Sequence, residues 1–407
     1  MQNPDTRQRI DRSTLLLAAI LAGLAMIGPF AIDTYMPSFP AIERAFGASV
    51  LEMQQTLSAY MIPYALTMLF HGALADTFGR RPVILVGVVV FALASVGCAL
   101  SQSMPQMLVF RVLQGMSAGT GIVAGRAMIR DLYGGAQAQR VMSTVTMLFG
   151  IAPAIAPVIG GWLEIWFGWR SVFFFLALLG IMLFMSCYYQ LKESLPASAR
   201  QSFSLANLTA NYLRLLGSVR FGLLSSANAF NFAGFFLYVA SAPAVVYNLL
   251  GLGPTEFAWM FVPGILGIVI GAFVSGRLAG KVAPRAMVRV AYVVMFAAAA
   301  YNLVYHALFP PALPWTVLAI MMYTIGMALA TPAMTLFMLD MFPLNRGLAA
   351  SLQSAQQSFF SGLAAGFMSP FLSATALGLA SGMVTMLICG AACWTAYAWL
   401  TKREDLQ

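Results

Sequence analysis

The sequence predicts an all-α polytopic membrane protein whose helices form two sets of six. Of its 407 residues, 60% are hydrophobic and 9% are charged, and the mean hydropathy is +0.83. A soluble domain carries about 25% charged residues. Twelve apolar segments are long enough to cross the hydrocarbon core as helices. They lie near residues 14–37, 51–74, 82–101, 106–130, 138–162, 170–191, 220–248, 256–279, 286–308, 313–339, 347–373 and 377–400.

A polar stretch divides the two sets of segments. Residues 1–191 are predicted to form the first six-helix bundle, 192–219 a linker and 220–407 the second bundle. Apolar residues recur in the linker at helical spacing, which predicts a short amphipathic helix on the membrane surface. These residues are Leu205, Leu208, Tyr212 and Leu215. A flexible linker is the alternative.

The basic residues are arranged asymmetrically. Of the 22 Lys and Arg residues, all except Arg44, Arg111 and Arg170 fall in the termini, in alternate loops or at the helix ends beside them. This is the positive-inside pattern, and it predicts that both termini are cytoplasmic. The net charge of +9 is therefore explained by topology, and a nucleic-acid partner is not predicted.

One acidic residue interrupts the apolar segments of the first half. Asp33 follows an uncharged run and lies near the outer end of the first segment, and Arg111 in the fourth segment lies at a similar depth. Burial favours a neutral carboxyl group, whereas a nearby guanidinium favours the carboxylate. The two residues therefore predict a proton switch at Asp33 that is tuned by Arg111. A permanently ionised pair joining two helices is the alternative.

Two stretches of the first half match known sequence signatures. The loop after the second segment resembles G-x-L-a-D-r-x-G-r-[KR], with Thr77 at a position that is commonly basic. It matches at Gly72, Leu74, Ala75, Asp76, Gly79, Arg80 and Arg81. Arg111 through Gly115 matches the pattern R-x-x-q-G. These two patterns resemble the loop and helix-four signatures of the major facilitator superfamily, and the resemblance covers all twelve segments. The similar loop at 276–285 indicates a parallel repeat of the two halves.

Two further stretches indicate a branch of that superfamily. The fifth segment resembles the helix-five signature of drug/proton antiporters, although Ala156 replaces a glycine. It matches at Gly150, Pro153, Pro157, Gly160 and Gly161. Residues 33–37 and 130–133 resemble the bicyclomycin/chloramphenicol resistance branch of these exporters.

The resemblance implies a fold of two bundles with pseudo-twofold symmetry and a function in a bacterial cytoplasmic membrane. The expected activity is export of small amphipathic drugs, such as chloramphenicol- or bicyclomycin-like compounds, in exchange for protons by alternating access. A monomer surrounded by lipid is expected, without cofactor or metal. The resemblance also implies a cytoplasmic gate, in which Asp76 faces the N-terminal end of helix eleven near Gly347. The predicted gate residues are Gly72, Asp76, Gly79, Arg80, Arg81, Arg130 and Asp131.

In the resembled fold, segments one, four, seven and ten line a central cavity. Asn231, Phe235 and Tyr238 share one face of the seventh helix. Aromatic and Met side chains suit varied apolar molecules because they can repack. The predicted substrate contacts are Tyr35, Met116, Met147, Asn231, Phe235, Tyr238, Gln353 and Gln357.

Other functions are less well supported. The 26 Met residues suggest copper uptake, but no Met and His cluster recurs across several helices. Residues 115–119 match the G-x-S-x-G pattern of serine hydrolases, which needs a strand-turn-helix elbow and a His partner. Here the pattern lies inside an apolar helix, and His71 and His306 are predicted near opposite faces. A transporter is therefore predicted rather than an enzyme, with nutrient or metal uptake as the alternative to export.

Overall fold

The computed structural model describes residues 12–133, 135–200, 202–342 and 346–404, and these residues form helices and loops without a strand. The helices of the first half are α1 (Arg12–Asp33), α2 (Phe39–Phe46), α3 (Val50–Phe78), α4 (Arg80–Leu100), α5 (Met104–Leu132), α6 (Gly135–Phe167) and α7 (Trp169–Gln190). The linker contains α8 (Leu205–Leu216).

The helices of the second half are α9 (Val219–Ala240), α10 (Ala258–Leu278), α11 (Pro284–Leu308), α12 (Trp315–Met341), α13 (Arg346–Leu363), α14 (Ser369–Leu372) and α15 (Ala376–Glu404). Two π-helical turns, Ala244–Leu249 and Ala364–Met368, follow α9 and α13. Among the described residues, eleven spans are long and apolar enough to cross a membrane. The remaining predicted segment, near 347–373, is the more polar α13 with its π turn and α14. The predicted all-α class is confirmed.

The first predicted segment is longer in the structure than in the sequence analysis. The helical path breaks after Asp33, continues through a short 3₁₀ turn and then through α2 as far as Phe46. Pro37 and Pro40 occupy first-turn positions of these two pieces, where the missing N–H is not required. The prolines therefore restart the helix instead of ending it, and Asp33 lies inside the span and not close to its outer end.

The two halves repeat this break. α1 and α9 are the first helices of their halves, each has 22 residues, and each is followed by a bend and a second short helical piece. The position that corresponds to Asp33 at the end of α9 is Ala240. The backbone therefore follows the internal repeat expected from the sequence, whereas the buried acid occurs in the first half alone among the described residues.

The linker forms the predicted amphipathic helix, so the flexible alternative is wrong for residues 205–216. Its buried apolar side chains pack against the protein. Leu208, Tyr212 and Leu215 are buried, and the Tyr212 hydroxyl donates to the Leu69 carbonyl of α3 at 3.0 Å. Burial raises the pKa of Tyr212 to about 12, so this hydroxyl remains a donor. The side chain of Leu205 is not among those that the structure describes.

The two ends of the helix bundle differ in charge. One end carries the α3–α4 turn, the end of α5 and the linker, with Arg80, Arg81 and Arg130, and is called the basic end below. The other end carries the α2–α3, α4–α5 and α6–α7 turns and is called the far end. Because α1 starts at the basic end, Asp33 lies on the far side of the span's centre.

Candidate transport site and closing contacts

Arg111 of α5 is the largest side chain among those that are completely buried in the described residues. Its guanidinium donates to the Ala31 carbonyl of α1 at 2.9 Å, to the Thr56 carbonyl of α3 at 3.3 Å and to Gln114 Oε1 at 2.9 Å. One terminal nitrogen, Nη2, has no partner. A charge with these partners ties α1, α3 and α5 together in the middle of the first half.

Two tyrosine rings enclose the guanidinium of Arg111. Its Cζ lies 4.4 Å from the ring centroid of Tyr35 and 4.6 Å from that of Tyr60. A desolvated cation–π contact stabilises a buried arginine by about 2 kcal/mol. Tyr35 also hydrogen-bonds Thr56 Oγ1 at 2.8 Å and has no exposed surface. Tyr35 therefore contacts Arg111 and is not available to a substrate in this conformation.

A glycine allows α5 to approach this centre. A Cβ atom at Gly115 would overlap the Tyr60 carbonyl oxygen of α3. Small residues permit such close helix contact in membranes. Gly115 therefore fixes the distance at which Arg111, one turn earlier, reaches the carbonyl groups of α1 and α3.

Asp33 is 4% exposed and lies beside this centre without an ion-pair partner. Among the described residues, no basic nitrogen lies within 4 Å of its carboxyl group, and Arg111 binds the Ala31 carbonyl two residues earlier. The Tyr60 hydroxyl lies in electrostatic contact with Asp33 and has no hydrogen-bond partner of its own. The direct pair considered in the sequence analysis is thus not formed, although both Asp33 and Arg111 lie near Tyr60.

The far end is closed by contacts between the halves. The Tyr247 hydroxyl donates to the Pro37 carbonyl at 2.6 Å, and the Ser58 hydroxyl donates to the Gly362 carbonyl at 2.6 Å. These two hydrogen bonds join the two halves directly. Next to the Tyr247–Pro37 hydrogen bond, Ser38 donates to Glu164 Oε2 at 2.7 Å. The bends after α1 and α9 therefore meet each other at the far end.

Two glycines of the helix-five motif make these contacts possible. A Cβ at Gly160 would overlap the Thr34 carbonyl of the same half, and a Cβ at Gly161 would overlap the Pro254 carbonyl of the other half. A Cβ at Gly150 would meet no atom within 4 Å. Pro153 and Pro157 lie inside α6 between them. At Gly161, the end of the motif, the backbone of the first half thus touches the backbone of the second half.

The predicted gate residues gather at the basic end. Arg80 pairs with Asp76 at 2.5 Å and with Asp131 at 3.2 Å, and Ser194 of the linker also donates to Asp131 at 2.8 Å. Arg130 is exposed at the end of α5. Asp76 contacts its own half, and the expected contact with the start of α13 near Gly347 is not made by the described residues. Residues 343–345 lie outside them.

Sequence reasoning missed Glu193. Its carboxylate accepts from the backbone N–H groups of Arg80 at 3.0 Å and Arg81 at 3.2 Å, the first residues of α4. An anion at a helix N-terminus is favourable because those N–H groups lack intrahelical partners. Gly79 has a φ of 101°, and a Cβ there would lie 2.5 Å from Glu193 Oε2. The linker is thus attached to the signature loop. A Cβ at Gly72 of that loop would be in ordinary van der Waals contact with Val123.

Two predicted substrate residues are enclosed by the second half. Asn231 donates to the Tyr292 hydroxyl at 3.1 Å, and Tyr238 accepts from Asn302 at 2.6 Å. Each is 1% exposed. In this conformation both side chains point towards α11 instead of the space between the halves. Phe235 on the same face is half-buried. Its ring lies against Gly264 of α10, where an added Cβ would contact it.

Met116 also lies away from the second half. It is 43% exposed in a groove of about 540 Å³ lined by α3, α4 and α5 alone. The side chain of Met147 lies outside the described ones. In this conformation α5 therefore presents Met116 to this groove and not to the space between the halves.

A polar contact between α9 and α13 remains as a candidate surface. Asn228 donates to Gln357 at 3.2 Å, Ser225 donates to Gln356 at 2.7 Å, and Gln353 donates to Thr335 of α12 at 3.0 Å. α13 also packs against α3 of the first half, where a Cβ at Gly362 would lie 3.0 Å from Ile62. Amides are therefore available next to the surface on which the halves meet.

Two six-helix halves, one with a buried charged centre and both joined at one end, define a membrane transport protein. A model of the Major Facilitator Superfamily matches residues 15–365. The chain belongs to this superfamily, and it is a multi-pass transporter and not an enzyme. The family and the bacterial inner-membrane location expected from the sequence are confirmed.

Relatives with similar sequences include proteins of drug resistance. The Uncharacterized MFS-type transporter YdgK of Bacillus subtilis (strain 168) is 32% identical over 81% of this chain and 82% of its own length. The Bicyclomycin resistance protein homolog of Haemophilus influenzae is 30% identical over 70% and 72%. The Multidrug resistance protein D of Escherichia coli (strain K12) is 27% identical over 96% and 97%. The expected similarity to antibiotic-resistance proteins of this superfamily is confirmed.

Solved structures share the fold. A bacterial homolog of the human lysosomal transporter Spinster, in an inward-facing and occupied conformation, has a TM-score of 0.73 at 18% identity and covers 97% of this chain and 98% of its own. The D-xylose-proton symporter has a TM-score of 0.67 at 15% identity, covering 95% and 96%. At these identities the likeness concerns the arrangement of helices.

Proposed function

We propose that this protein exports small amphipathic drugs in exchange for protons, with Asp33 as the group that binds and releases the proton. The observation that carries the proposal is an acidic side chain, 4% exposed, inside a span of a chain related to drug-resistance proteins. A carboxylate buried without a counter-charge costs several kcal/mol. The described geometry around Asp33 therefore fits the protonated acid.

Ionisation would change the contacts of Arg111. A carboxylate at Asp33 attracts the guanidinium, which now holds the Ala31 carbonyl and has one free nitrogen. Movement of Arg111 towards Asp33 weakens its bonds to α1 or α3. Ser58 lies on α3 and Pro37 lies in the turn directly after α1, and both make hydrogen bonds that join the halves. Proton release is in this way coupled to opening of the far end. Arg111 remains charged throughout, so it supplies the fixed charge.

The direction of the cycle follows from the two ends. With the basic end in the cytoplasm, as the charge pattern predicts, the closed far end makes this conformation inward-facing. Drug enters from the basic end in exchange for the proton on Asp33. Opening of the far end then releases the drug and allows Asp33 to bind a proton from outside.

Transport into everted membrane vesicles tests export. When respiration acidifies the vesicle interior, vesicles containing the protein are expected to accumulate chloramphenicol, and a protonophore should remove the gradient of drug. Vesicles without the protein provide the control. Absence of proton-driven accumulation with chloramphenicol and with a wider drug panel would contradict export and favour uptake by the same fold.

Asp76→Asn tests the role of the basic-end cluster. Arg80 then loses one of its two carboxylate partners, so the loop that rearranges between conformations is held less firmly. Turnover is expected to fall about tenfold, equivalent to about 1.4 kcal/mol of barrier, while drug affinity changes less than about twofold. Asp340→Asn, which removes an exposed partner of Arg346 at the same end, is the matched control. Unchanged turnover in Asp76→Asn would remove Asp76 from the gate.

A further inference from the structure

Arg126 is a second arginine inside the α5 span, and its environment differs from that of Arg111. It lies six residues before the end of α5 at Leu132, at about 9 Å of helix rise from the basic end. Its side chain is exposed, and within the part of the chain that the structure describes it forms no hydrogen bond or ion pair. The sequence pattern placed Arg126 with the basic residues of the loops, so this position had no predicted role.

The direction of Arg126 follows from helix geometry. Residues eleven apart lie within about 20° of each other around an α-helix. Arg126 therefore points in the same direction as Gly115, which faces Tyr60 of α3. The electrostatic neighbours of Arg126 are the Tyr64 hydroxyl on α3 and Arg130, one turn nearer the basic end. The guanidinium thus lies on the side of α5 that faces α3 and not in the groove around Met116.

Tyr64 connects this position to the proton site. Its ring stacks on Tyr60 with centroids 5.9 Å apart and planes at 14°. A Cβ at Gly28 of α1 would lie 3.8 Å from the Tyr64 hydroxyl and 4.0 Å from the Tyr60 hydroxyl. From Arg126 through Tyr64 and Tyr60, a line of polar groups leads from the basic end to Asp33.

The charge around Arg126 is not balanced. Apart from Asp33, every acidic side chain that the structure describes lies in a loop or within three residues of a helix end. Arg130 adds a like charge one turn away. An arginine at this depth is favourable only with water or with an acceptor supplied by another molecule. Its five fixed donors suit oxygen acceptors, and its charge repels cations.

We propose that Arg126 and Tyr64 form the recognition site for acceptor oxygens of the transported molecule. Substrates are then neutral or anionic amphipathic compounds with carbonyl, nitro or carboxylate groups, and permanent cations are excluded. This inference rests on the proposed export function, because it assigns the substrate class to the same path. A molecule bound there touches Tyr64, which is stacked on the tyrosine beside Asp33.

Equilibrium binding to the purified protein tests the assignment without requiring transport. The probes are chloramphenicol, which is neutral and carries nitro and amide oxygens, and ethidium, a permanent cation. The unaltered protein is expected to bind chloramphenicol more tightly than ethidium. Arg126→Gln should weaken chloramphenicol binding about tenfold to a hundredfold, the usual effect of losing a hydrogen bond to a charged group. The same change should strengthen ethidium binding, and Arg126→Lys should restore part of the chloramphenicol affinity.

Arg289→Gln is the matched control, since Arg289 is an exposed arginine within α11 of the second half. It should bind both probes as the unaltered protein does. Unchanged chloramphenicol affinity in Arg126→Gln would overturn the assignment, as would an equal loss of both probes or failure of the unaltered protein to bind chloramphenicol. If the variants bind the two probes as expected but vesicles show no proton-driven accumulation, the export function is contradicted and the assignment of the recognition site stands.

Discussion

Asp33→Asn is expected to abolish proton-driven drug accumulation in everted vesicles while leaving the amount of folded protein unchanged. The amide has nearly the same shape as the carboxylic acid and cannot release a proton. Because the described carboxyl group has no ion-pair partner, its replacement removes no salt bridge. Because the amide mimics the protonated acid and cannot draw Arg111 away from the Ala31 carbonyl, the far end should open less often, and drug should equilibrate down its own gradient more slowly than in the unaltered protein.

Glu43→Gln is the control for this substitution. Glu43 lies on α2, in the same span as Asp33, and its carboxyl group makes no hydrogen bond in the described part of the chain. It should transport normally. Drug accumulation against a gradient by Asp33→Asn, at the rate of the unaltered protein, would exclude Asp33 from the coupling step.

Gly161→Ala is expected to prevent closure of the far end and to stop transport. The added methyl group would overlap the Pro254 carbonyl, which is backbone of the other half and cannot rotate away. Overpacking of this kind costs about 1–3 kcal/mol. Since only the closed state carries the cost, its population relative to the open state falls about 5- to 150-fold.

Distances between spin labels at positions 44 and 252, on opposite halves of the far end, would measure this shift. The four natural cysteines are replaced first so that labels attach only at those two positions. Gly161→Ala should shift the distribution towards long distances, whereas Gly150→Ala should not, because a Cβ at Gly150 meets no atom within 4 Å. Equal distributions in the two variants would show that Gly161 does not control closure.

The fold was predictable because a bilayer leaves few alternatives. Backbone groups in hydrocarbon must bond within their own segment, so long apolar runs become helices. Asp33 and Arg111 were predictable for a related reason, since a charge within such a run is costly unless it has a function. Their arrangement was not predictable. Arg111 uses carbonyl groups of α1 and α3, and carbonyl groups are present at every position of any sequence.

The substrate surface was predicted less well because α9 carries polar groups on two faces. Asn231 and Tyr238 share one face and bond α11, whereas Ser225 and Asn228 share another and bond α13. Helical periodicity identifies each face but does not say which neighbour it meets. Glu193 was missed because its partners are the backbone N–H groups of α4, which leave no mark in the sequence.

The exchange of drug for a proton is tested most directly by proton release. Purified protein in a weakly buffered solution is mixed with saturating chloramphenicol, and the pH change is recorded with an indicator dye. The account predicts release of about one proton per bound drug from the unaltered protein, and none from Asp33→Asn. Equal proton release from both proteins, or drug binding to the unaltered protein without any release, would contradict the role of Asp33.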